Sequence, residues 1–424
     1  MENTNVFSKK DWLTVLVVAF GYFVDIYDIL LFGIVRVASL KSLSACPKIN
    51  SSTEDLLKQT TLSQSAFLTD TGLFLQNWQM VGFIVGGLIA GIIADKKGRI
   101  SVLFGSILLY SIANIANAYV TNIDSYSALR FFAGVGLAGE IVGFALVSEV
   151  LLRNKRTIGT MIVSSIGLLG GVAAAIVGTK YSWETSYLIG GGMGLILLVF
   201  RLSIHESSMF KELKSDVKKG SLIYLFSQKK LLLKYIYVIL SGAAAFVFTG
   251  IFINFSPELS KKIGVTEPIS VAQALICYMT AFTISDIIGS LISKKLKSRK
   301  VPLLFFCVIQ VLAVVLYLFP IFPLTSFWFY VRCTILGIGL GYWGILITNA
   351  AEQFGTNLRA TVTTSASNFI RGLAIPATLL FSNFKLNYGT TNVAFGIAML
   401  FIGISAFAIY KLDDKFEASL DYID

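Results

Sequence analysis

The segment GLIAGIIADKKGR, residues 87–99, decides how this chain folds. An apolar stretch changes abruptly, within its last five residues, to one acid, three bases and a glycine. Apolar runs that end in charge are typical of helices that cross a bilayer and stop at its edge. Asp95 can then face the positive end of a neighbouring helix, while Lys96 and Arg99 stay with water or acids. The segment therefore predicts a membrane span anchored by charge.

The composition of the whole chain is that of an integral membrane protein. Of its 424 residues, 55% are hydrophobic and 14% are charged, whereas about a quarter are charged in soluble domains. The four cysteines, Cys46 in a polar loop among them, have no metal-ligand spacing, and His205 is the single histidine. The sequence therefore predicts no metal site and no cofactor. It also contains no nucleophile–base pair or phosphate loop, which argues against an enzyme.

Twelve apolar stretches are long enough to cross about 30 Å of hydrocarbon. No alternation typical of membrane strands is present, so the prediction is an all-α membrane protein with twelve transmembrane helices. The predicted spans are 12–35, 72–94, 101–120, 127–150, 157–178, 184–202, 233–255, 268–292, 301–320, 326–350, 360–382 and 391–411.

Basic residues are distributed unevenly between the two sides of this topology. Of the 35 Lys and Arg residues, 24 fall in the terminal segments and the connections on their side or at the span ends that border them, Lys234 at the start of span seven included. Eight fall in the alternate connections, and the remaining three, Arg130, Arg332 and Arg371, lie deep inside spans. The positive-inside rule then places both termini in the cytoplasm, for a multi-pass protein of the inner (plasma) membrane. The net charge of +11 is explained by this topology, so it predicts the lipid bilayer as surroundings and no nucleic-acid partner.

The two halves of the chain echo each other. GVGLAGE follows Arg130, and GIGLGYW follows Arg332 at an offset of 202 to 203 residues. Parallel six-helix repeats are typical of secondary transporters whose substrate site lies between the halves. We therefore predict three parts: an N-terminal six-helix bundle at 1–202, a cytoplasmic connecting loop at 203–232 and a C-terminal six-helix bundle with a short tail at 233–424.

The opening segment carries a specific family resemblance. Gly91, Asp95, Lys96, Gly98 and Arg99 match the signature G-x-x-x-D-[RK]-x-G-R, and on them the chain resembles the major facilitator superfamily. The resemblance implies the major facilitator fold of two six-helix bundles. It also implies a small-molecule substrate moved by alternating access.

The repeat of this segment in the second half, GSLISKKLKSR at 289–299, has Ser293 where the acid would be. The two gates are therefore predicted to be unequally held. Four charged residues at the cytoplasmic mouths, seven residues apart within each half, are predicted to form gating ion pairs. They are Glu149, Arg156, Glu352 and Arg359.

Within the superfamily the chain looks most like the metabolite:proton symporter family. The first-span run GYFVDIYDILLFG, residues 21–33, fits that family's first-span pattern. Residues 130–149, RFFAGVGLAGEIVGFALVSE, resemble its fourth-span pattern with Ala138 in place of one glycine. RLSIHESSMF, at 201–210, resembles its usual exit from span six. The resemblance implies proton coupling.

Three acids in the predicted spans are candidates for carrying protons. Asp25 and Asp28 share a helix stripe in the first span, and Glu140 lies near the same depth on span four. A carboxylate at bilayer depth costs roughly 2.5–3.5 kcal/mol, so it rarely persists without a partner or a task. Structural ion pairs are the alternative for each of them, with Arg130 as the partner considered for Glu140.

Arg371 is the candidate for binding an anionic substrate. It lies near the middle of span eleven, and its repeat position, Leu168, carries no charge. An arginine fork suits a carboxylate, although pairing with Asp286 or a first-span aspartate is the alternative. Further residues predicted to contact substrate are Arg130, Tyr22, Asn368 and Tyr342.

The predicted function is proton-coupled uptake of a small organic anion or zwitterionic metabolite by a monomeric carrier. An exporter of a metabolite, drug or siderophore on the same fold is the first alternative. A solute sensor that transports nothing is the second.

Overall fold

A computed structural model describes residues 8–43, 54–202, 220–319 and 321–416, and every regular element in those ranges is a helix. The all-α prediction is confirmed. Cys46 and His205 lie outside the described residues, as do 203–219 of the predicted connecting loop. The described remainder of that loop contains a short helix, Leu222–Ser227, and the first residues of the next span. The three predicted part boundaries stay predictions.

The described residues form twelve long helices. A short helix, Ser256–Ile263, follows the seventh of them. They are α1 (Lys9–Ser42), α2 (Glu54–Lys97), α3 (Arg99–Asn117), α4 (Ile123–Val150), α5 (Arg153–Lys180), α6 (Trp183–Arg201), α7 (Lys229–Ile253), α8 (Val271–Leu296), α9 (Lys300–Leu318), α10 (Ser326–Gln353), α11 (Arg359–Gly372 continued by Ala374–Tyr388) and α12 (Thr390–Lys411).

Eleven of these helices, within the described residues, are long and apolar enough to cross a membrane, and α11 is the exception. It is interrupted at Leu373. Pro376 has no N–H to offer the carbonyl of Gly372, so the regular helix is broken there. The first part of α11 is polar, and nearly all of it is buried against other helices rather than exposed to lipid. A spanning helix with such surroundings does not need an apolar surface.

The helices form two bundles of six. In the first bundle α1 packs along α5, and α2 packs along α4; in the second, α8 packs along α10, and α9 packs along α12. Two seams join the bundles, one between α2 and α11 and the other between α5 and α8. The seams correspond under the internal repeat, since a shift of six helices carries α2 to α8 and α5 to α11.

Both described ends of the chain lie at the same end of the molecule as the opening segment. Near the N-terminus, Asp11 pairs with Lys155 at 3.4 Å. Near the C-terminus, Asp414 accepts a hydrogen bond of 2.8 Å from the backbone of Arg299. We call this the motif end, because residues 95–99 connect α2 to α3 there. The other is called the opposite end.

Glycines allow the closest approach of helices in the first bundle. A Cβ at Gly170 of α5 would collide with the backbone carbonyl oxygen of Phe23 on α1. Neither backbone can yield as a flexible side chain would. A Cβ at Gly192 of α6, by contrast, would meet no heavy atom within 4 Å.

We predict that Gly170→Val lowers the melting temperature of the purified protein by several degrees, because overpacking at a helix contact costs about 1–3 kcal/mol. Gly192→Val is the matched control and should leave the melting temperature unchanged. Thermal unfolding in detergent measures both. Equal melting temperatures for the two variants would contradict the close contact of α1 with α5.

Candidate functional site

An ion pair links the two bundles at mid-membrane depth. Arg371 of α11 places Nη2 at 2.6 Å from Oδ2 of Asp25 on α1, and neither side chain is exposed. The guanidinium also lies 4.8 Å above the ring of Phe83 on α2. Pairing of Arg371 with a first-span aspartate, one of the two alternatives drawn from the sequence, is therefore present in this structure.

Aromatic side chains adjoin this ion pair. The indole Nε1 of Trp343 donates a hydrogen bond of 2.5 Å to the hydroxyl of Tyr22, three residues before Asp25. The ring of Phe246 stands edge-on to that of Trp343 at 5.5 Å. A cavity of about 30 Å³ lies beside them, lined among others by Phe282. Such a volume is that of about one water molecule, so the bundles must separate to admit an organic substrate.

Glu140 forms its ion pair with a residue that the sequence analysis did not select. Its partner is Arg201, the last residue of α6, and both side chains are buried. Arg201 also donates to the backbone carbonyl of Leu103 on α3. A Cβ at Gly21 of α1 would collide with the Arg201 guanidinium. The glycine therefore leaves the room in which Arg201 reaches Glu140.

Asp28 points away from Asp25, into the first bundle. It accepts a hydrogen bond from the side-chain amide of Asn114 on α3, and a Cβ at Gly190 of α6 would lie 2.6 Å from its Oδ1. Three residues of helix turn the chain by about 300°, so the two carboxylates diverge by about 60°. Asp25 therefore faces the second bundle, whereas Asp28 faces the interior of the first.

Arg130 lies beside Asp28, within electrostatic range. It donates a hydrogen bond to Oε1 of Gln79 on α2, and its guanidinium lies 4.5 Å from the centre of the Phe32 ring. Among the described residues no ion pair within 4.0 Å joins it to an acid. Arg130 therefore belongs to the interior of the first bundle.

Two further residues predicted to contact substrate differ in position. Asn368 accepts a bond of 3.4 Å from Arg371 and donates one of 3.0 Å to the carbonyl of Ala138 in the other bundle. Tyr342 instead packs against Phe306, with ring centres 6.1 Å apart, inside the second bundle. Its neighbour Trp343 is the residue that lines the cavity.

Asp95 closes the motif end by capping a helix of the other bundle. Its Oδ2 accepts a bond of 2.8 Å from the backbone N–H of Thr361, and its Oδ1 accepts one of 3.3 Å from Ala360. These amides belong to the first turn of α11, whose positive end favours an anion. A Cβ at Gly91 would lie 2.7 Å from Cα of Thr361. The sequence-based placement of Asp95 at a helix end is observed.

A chain of buried charges continues from Asp95 across the bundles. Arg99 pairs with Asp95 at 3.2 Å and with Glu149 at 2.7 Å, and Glu149 pairs with Arg359 of the second bundle at 3.2 Å. Gly98 begins α3 with a φ of 102°, a conformation that favours glycine. Lys96 of the signature is exposed and does not belong to this series of buried charges.

The repeat-related seam is joined differently. Arg299 pairs with Glu352 of its own bundle through two bonds of 2.8 Å. Two hydroxyl bonds cross to the first bundle, one of 3.1 Å from Arg299 to Thr157 and one of 3.0 Å from Thr348 to Thr160. Ser293 receives a bond of 3.2 Å from Arg299 instead of capping α5. Arg156 donates to the Ser148 carbonyl at 2.9 Å. The unequal hold expected from Ser293 is thus visible in the contacts.

The opposite end is closed as well. Arg36 at the end of α1 is mostly buried and lies 5.7 Å from the ring centre of Phe255, which follows α7. A Cβ at Gly33 would touch the side-chain oxygen of Asn254 at 3.0 Å. The structure is therefore occluded, with the central ion pair shielded from both sides.

Asp286 occupies the α5–α8 side of the second bundle, away from Arg371. It is fully buried and accepts a bond of 2.8 Å from the backbone N–H of Gly344, at the start of a helical segment. No cation of the described residues lies within 4.0 Å of it.

Comparison with known proteins places these features in a family. The model of the Major Facilitator Superfamily matches residues 55–378. The 4-hydroxybenzoate transporter PcaK of Pseudomonas putida is 33% identical over 138 residues, which are 31% of either chain. The niacin transporter NiaP of Acinetobacter baylyi is 32% identical over 132 residues, 30% of either chain. These alignments therefore span about a third of each curated relative.

A solved structure has the same fold. The proton:xylose symporter XylE bound to 6-bromo-6-deoxy-D-glucose superposes with a TM-score of 0.72, covering 97% of this chain and 98% of its own. The sequence identity is 13%, so the likeness extends to the fold alone. The predicted arrangement of twelve helices in two bundles is confirmed.

We predict that Asp95→Ala loosens the motif end, because two amides of α11 and the Arg99 guanidinium lose their acceptor. A cysteine at Thr361 should react with a membrane-impermeant maleimide several times faster in that background. Lys96→Ala is the matched control and should leave the labelling rate unchanged. Equal rates in both backgrounds would contradict the capping role of Asp95.

Proposed function

This chain belongs to the Major Facilitator Superfamily, and on that premise we propose that it is a proton-coupled carrier that takes up a small organic carboxylate. The observation that carries the proposal is the buried ion pair of Arg371 with Asp25. It joins the two bundles at the place where alternating access requires a substrate site.

Arg371 is suited to a carboxylate because it already holds one. Oδ2 of Asp25 lies 2.6 Å from Nη2 of Arg371, and both side chains are fully buried. Charge-assisted hydrogen bonds are strong in such surroundings. A substrate carboxylate can replace it on Nη2. Asn368, which contacts Arg371 at 3.4 Å, would hold the fork in orientation during the exchange.

The surroundings of the ion pair favour an aromatic acid. The neighbouring cavity is lined by four aromatic side chains, Tyr22, Phe246, Phe282 and Trp343. Of these, Tyr22 is on α1, three residues and so less than one helix turn before Asp25. Flat rings stack on such side chains with about 0.5–1.5 kcal/mol beyond area burial. Two of the relatives are named for 4-hydroxybenzoate and niacin, both of which are aryl carboxylates. We therefore propose an aryl monocarboxylate as substrate.

Transport follows from breaking the contacts at one end at a time. Opening the motif end separates Asp95 from α11 and Glu149 from Arg359, whereas opening the opposite end separates Arg36 from Phe255. By the positive-inside rule, the distribution of basic residues favours a cytoplasmic location for the motif end and both termini, and we propose that orientation. The proposed location is the inner (plasma) membrane, and the proposed working unit is a monomer.

Uptake of radiolabelled 4-hydroxybenzoate into proteoliposomes tests this function. We predict uphill accumulation when the interior is more alkaline than the medium, and none when the gradient is absent. Efflux driven by the same gradient would identify an exporter, and absence of any flux would contradict the proposal.

We predict that Arg371→Lys reduces uptake about tenfold or more, since a charge-assisted hydrogen bond contributes about 1.5–3 kcal/mol. Lysine keeps the positive charge but cannot form the two parallel hydrogen bonds that a guanidinium can offer to a substrate carboxylate. Initial rates against substrate concentration measure the effect. An unchanged rate would remove Arg371 from substrate binding.

We predict that Trp343→Leu raises the half-saturating concentration for benzoate about two- to tenfold, the range expected for losing one aromatic contact. The value for an aliphatic acid of similar length, such as heptanoate, should change little. Competition against labelled substrate measures both acids. An equal change for the two acids would contradict an aromatic subsite.

A further inference from the structure

Three acids and three arginines are buried along α1, α4, α6 and α11. They are Asp25, Asp28, Glu140, Arg130, Arg201 and Arg371, which we call the central charge cluster, and each is at most 2% exposed. Their formal charges sum to zero. We propose that Arg201 completes a balanced cluster, which sets transport at one proton for each substrate carboxylate; this inference rests on the proposed function.

Direct contacts account for most of the balance. Asp25 is paired with Arg371, and Glu140 is paired with Arg201. Asp28 receives the amide of Asn114 rather than a guanidinium, although Arg130 lies within electrostatic range. Without Arg201 the acids would outnumber the cations. Arg201, the last residue of α6, therefore contributes one of the three positive charges of the cluster.

The charged and titratable groups near Asp25 come from α1 and from four helices around it. Tyr110 of α3 and Arg201 of α6 are among them. Arg371 comes from α11 and Glu140 from α4, while α1 itself adds Tyr22 and Asp28. Helix α5 contributes no charge here, since Gly167 is what meets Tyr22. On α10 the neighbour is the indole of Trp343, and on α2 it is the ring of Phe83.

A net charge at this depth is costly. An uncompensated ion in a low-dielectric interior costs several kcal/mol even after relaxation. The empty cluster avoids this cost because it is balanced. Arrival of one carboxylate makes the sum −1 unless a cation arrives with it.

A proton restores the balance at Asp25. When the substrate carboxylate takes over the Arg371 nitrogens, Asp25 loses its counter-ion and binds one proton from the side that the substrate came from. After the bundles reorient, the substrate leaves Arg371 and Asp25 returns to it, releasing the proton to the other side. Each cycle moves one anion and one proton, so no net charge crosses. A substrate with two carboxylates requires two protons.

The wild-type protein in proteoliposomes tests the ratio directly, with 4-hydroxybenzoate as the probe. A gradient of one pH unit should concentrate it about tenfold, since one unit corresponds to 1.36 kcal/mol per proton. Potentials set by potassium and valinomycin at fixed pH should not change this ratio. Accumulation near a hundredfold, or a ratio that follows the potential, would overturn the inference while leaving carboxylate transport intact.

Paired variants test the role of Arg201. Glu140→Gln leaves Arg201 without a counter-ion, so the empty cluster carries a net charge of +1. One substrate carboxylate then neutralises the cluster without a proton. Uptake should then lose its dependence on pH and be driven by an inside-positive potential. The double variant Glu140→Gln with Arg201→Gln is balanced again and should regain about tenfold accumulation per pH unit.

Exchange of internal for external labelled substrate shows that each variant is folded. A double variant that exchanges substrate but stays independent of pH would overturn the role of Arg201. So would a single variant that keeps the wild-type ratio. If wild-type protein neither exchanges nor accumulates aryl carboxylates, the proposed function itself fails, and that result is distinct from all of these.

Discussion

The ion pair between Arg371 and Asp25 is the constraint on which the rest of the structure depends. Two opposite charges sit 2.6 Å apart with no exposure, and removing one partner from such a pair costs about 3–5 kcal/mol. The bundles therefore hold together at their centre until another anion takes the place of Asp25. In the transport cycle that we propose, a substrate carboxylate provides that replacement, so that substrate binding and separation of the bundles are one event.

Helix α11 connects this event to the motif end. Its first turn is capped by Asp95, and its last turn before the break carries Arg371. Thr361 and Arg371 are ten residues apart, about 15 Å along one rigid helix. A shift of α11 that follows substrate therefore acts on both contacts. The sequence analysis counted 360–382 among the apolar spans, but the first part of α11 is polar and buried, and this reflects its place between the bundles.

The sequence predicted the helices, the repeat and the motif-end contact better than the centre of the site. Arg201 was counted among the positive charges of a connection, and only Gly21 of a distant helix leaves room for its contact with Glu140. Asp25 and Asp28 share a stripe, but helical phase does not reveal that Asp25 faces the second bundle and Asp28 the interior of the first. Trp343 lies within a predicted span, and helical phase alone does not separate a residue that lines the cavity from one that only packs.

Calorimetric titration of the purified protein with 4-hydroxybenzoate tests whether a substrate carboxylate replaces Asp25 on Arg371 while Asp25 takes up a proton. Binding enthalpies measured at one pH in buffers of different ionisation enthalpy report how many protons the complex takes up. We expect about one proton bound per carboxylate, as Asp25 exchanges Arg371 for a proton. Binding with no proton uptake in any buffer would contradict the exchange of Asp25 for substrate on Arg371.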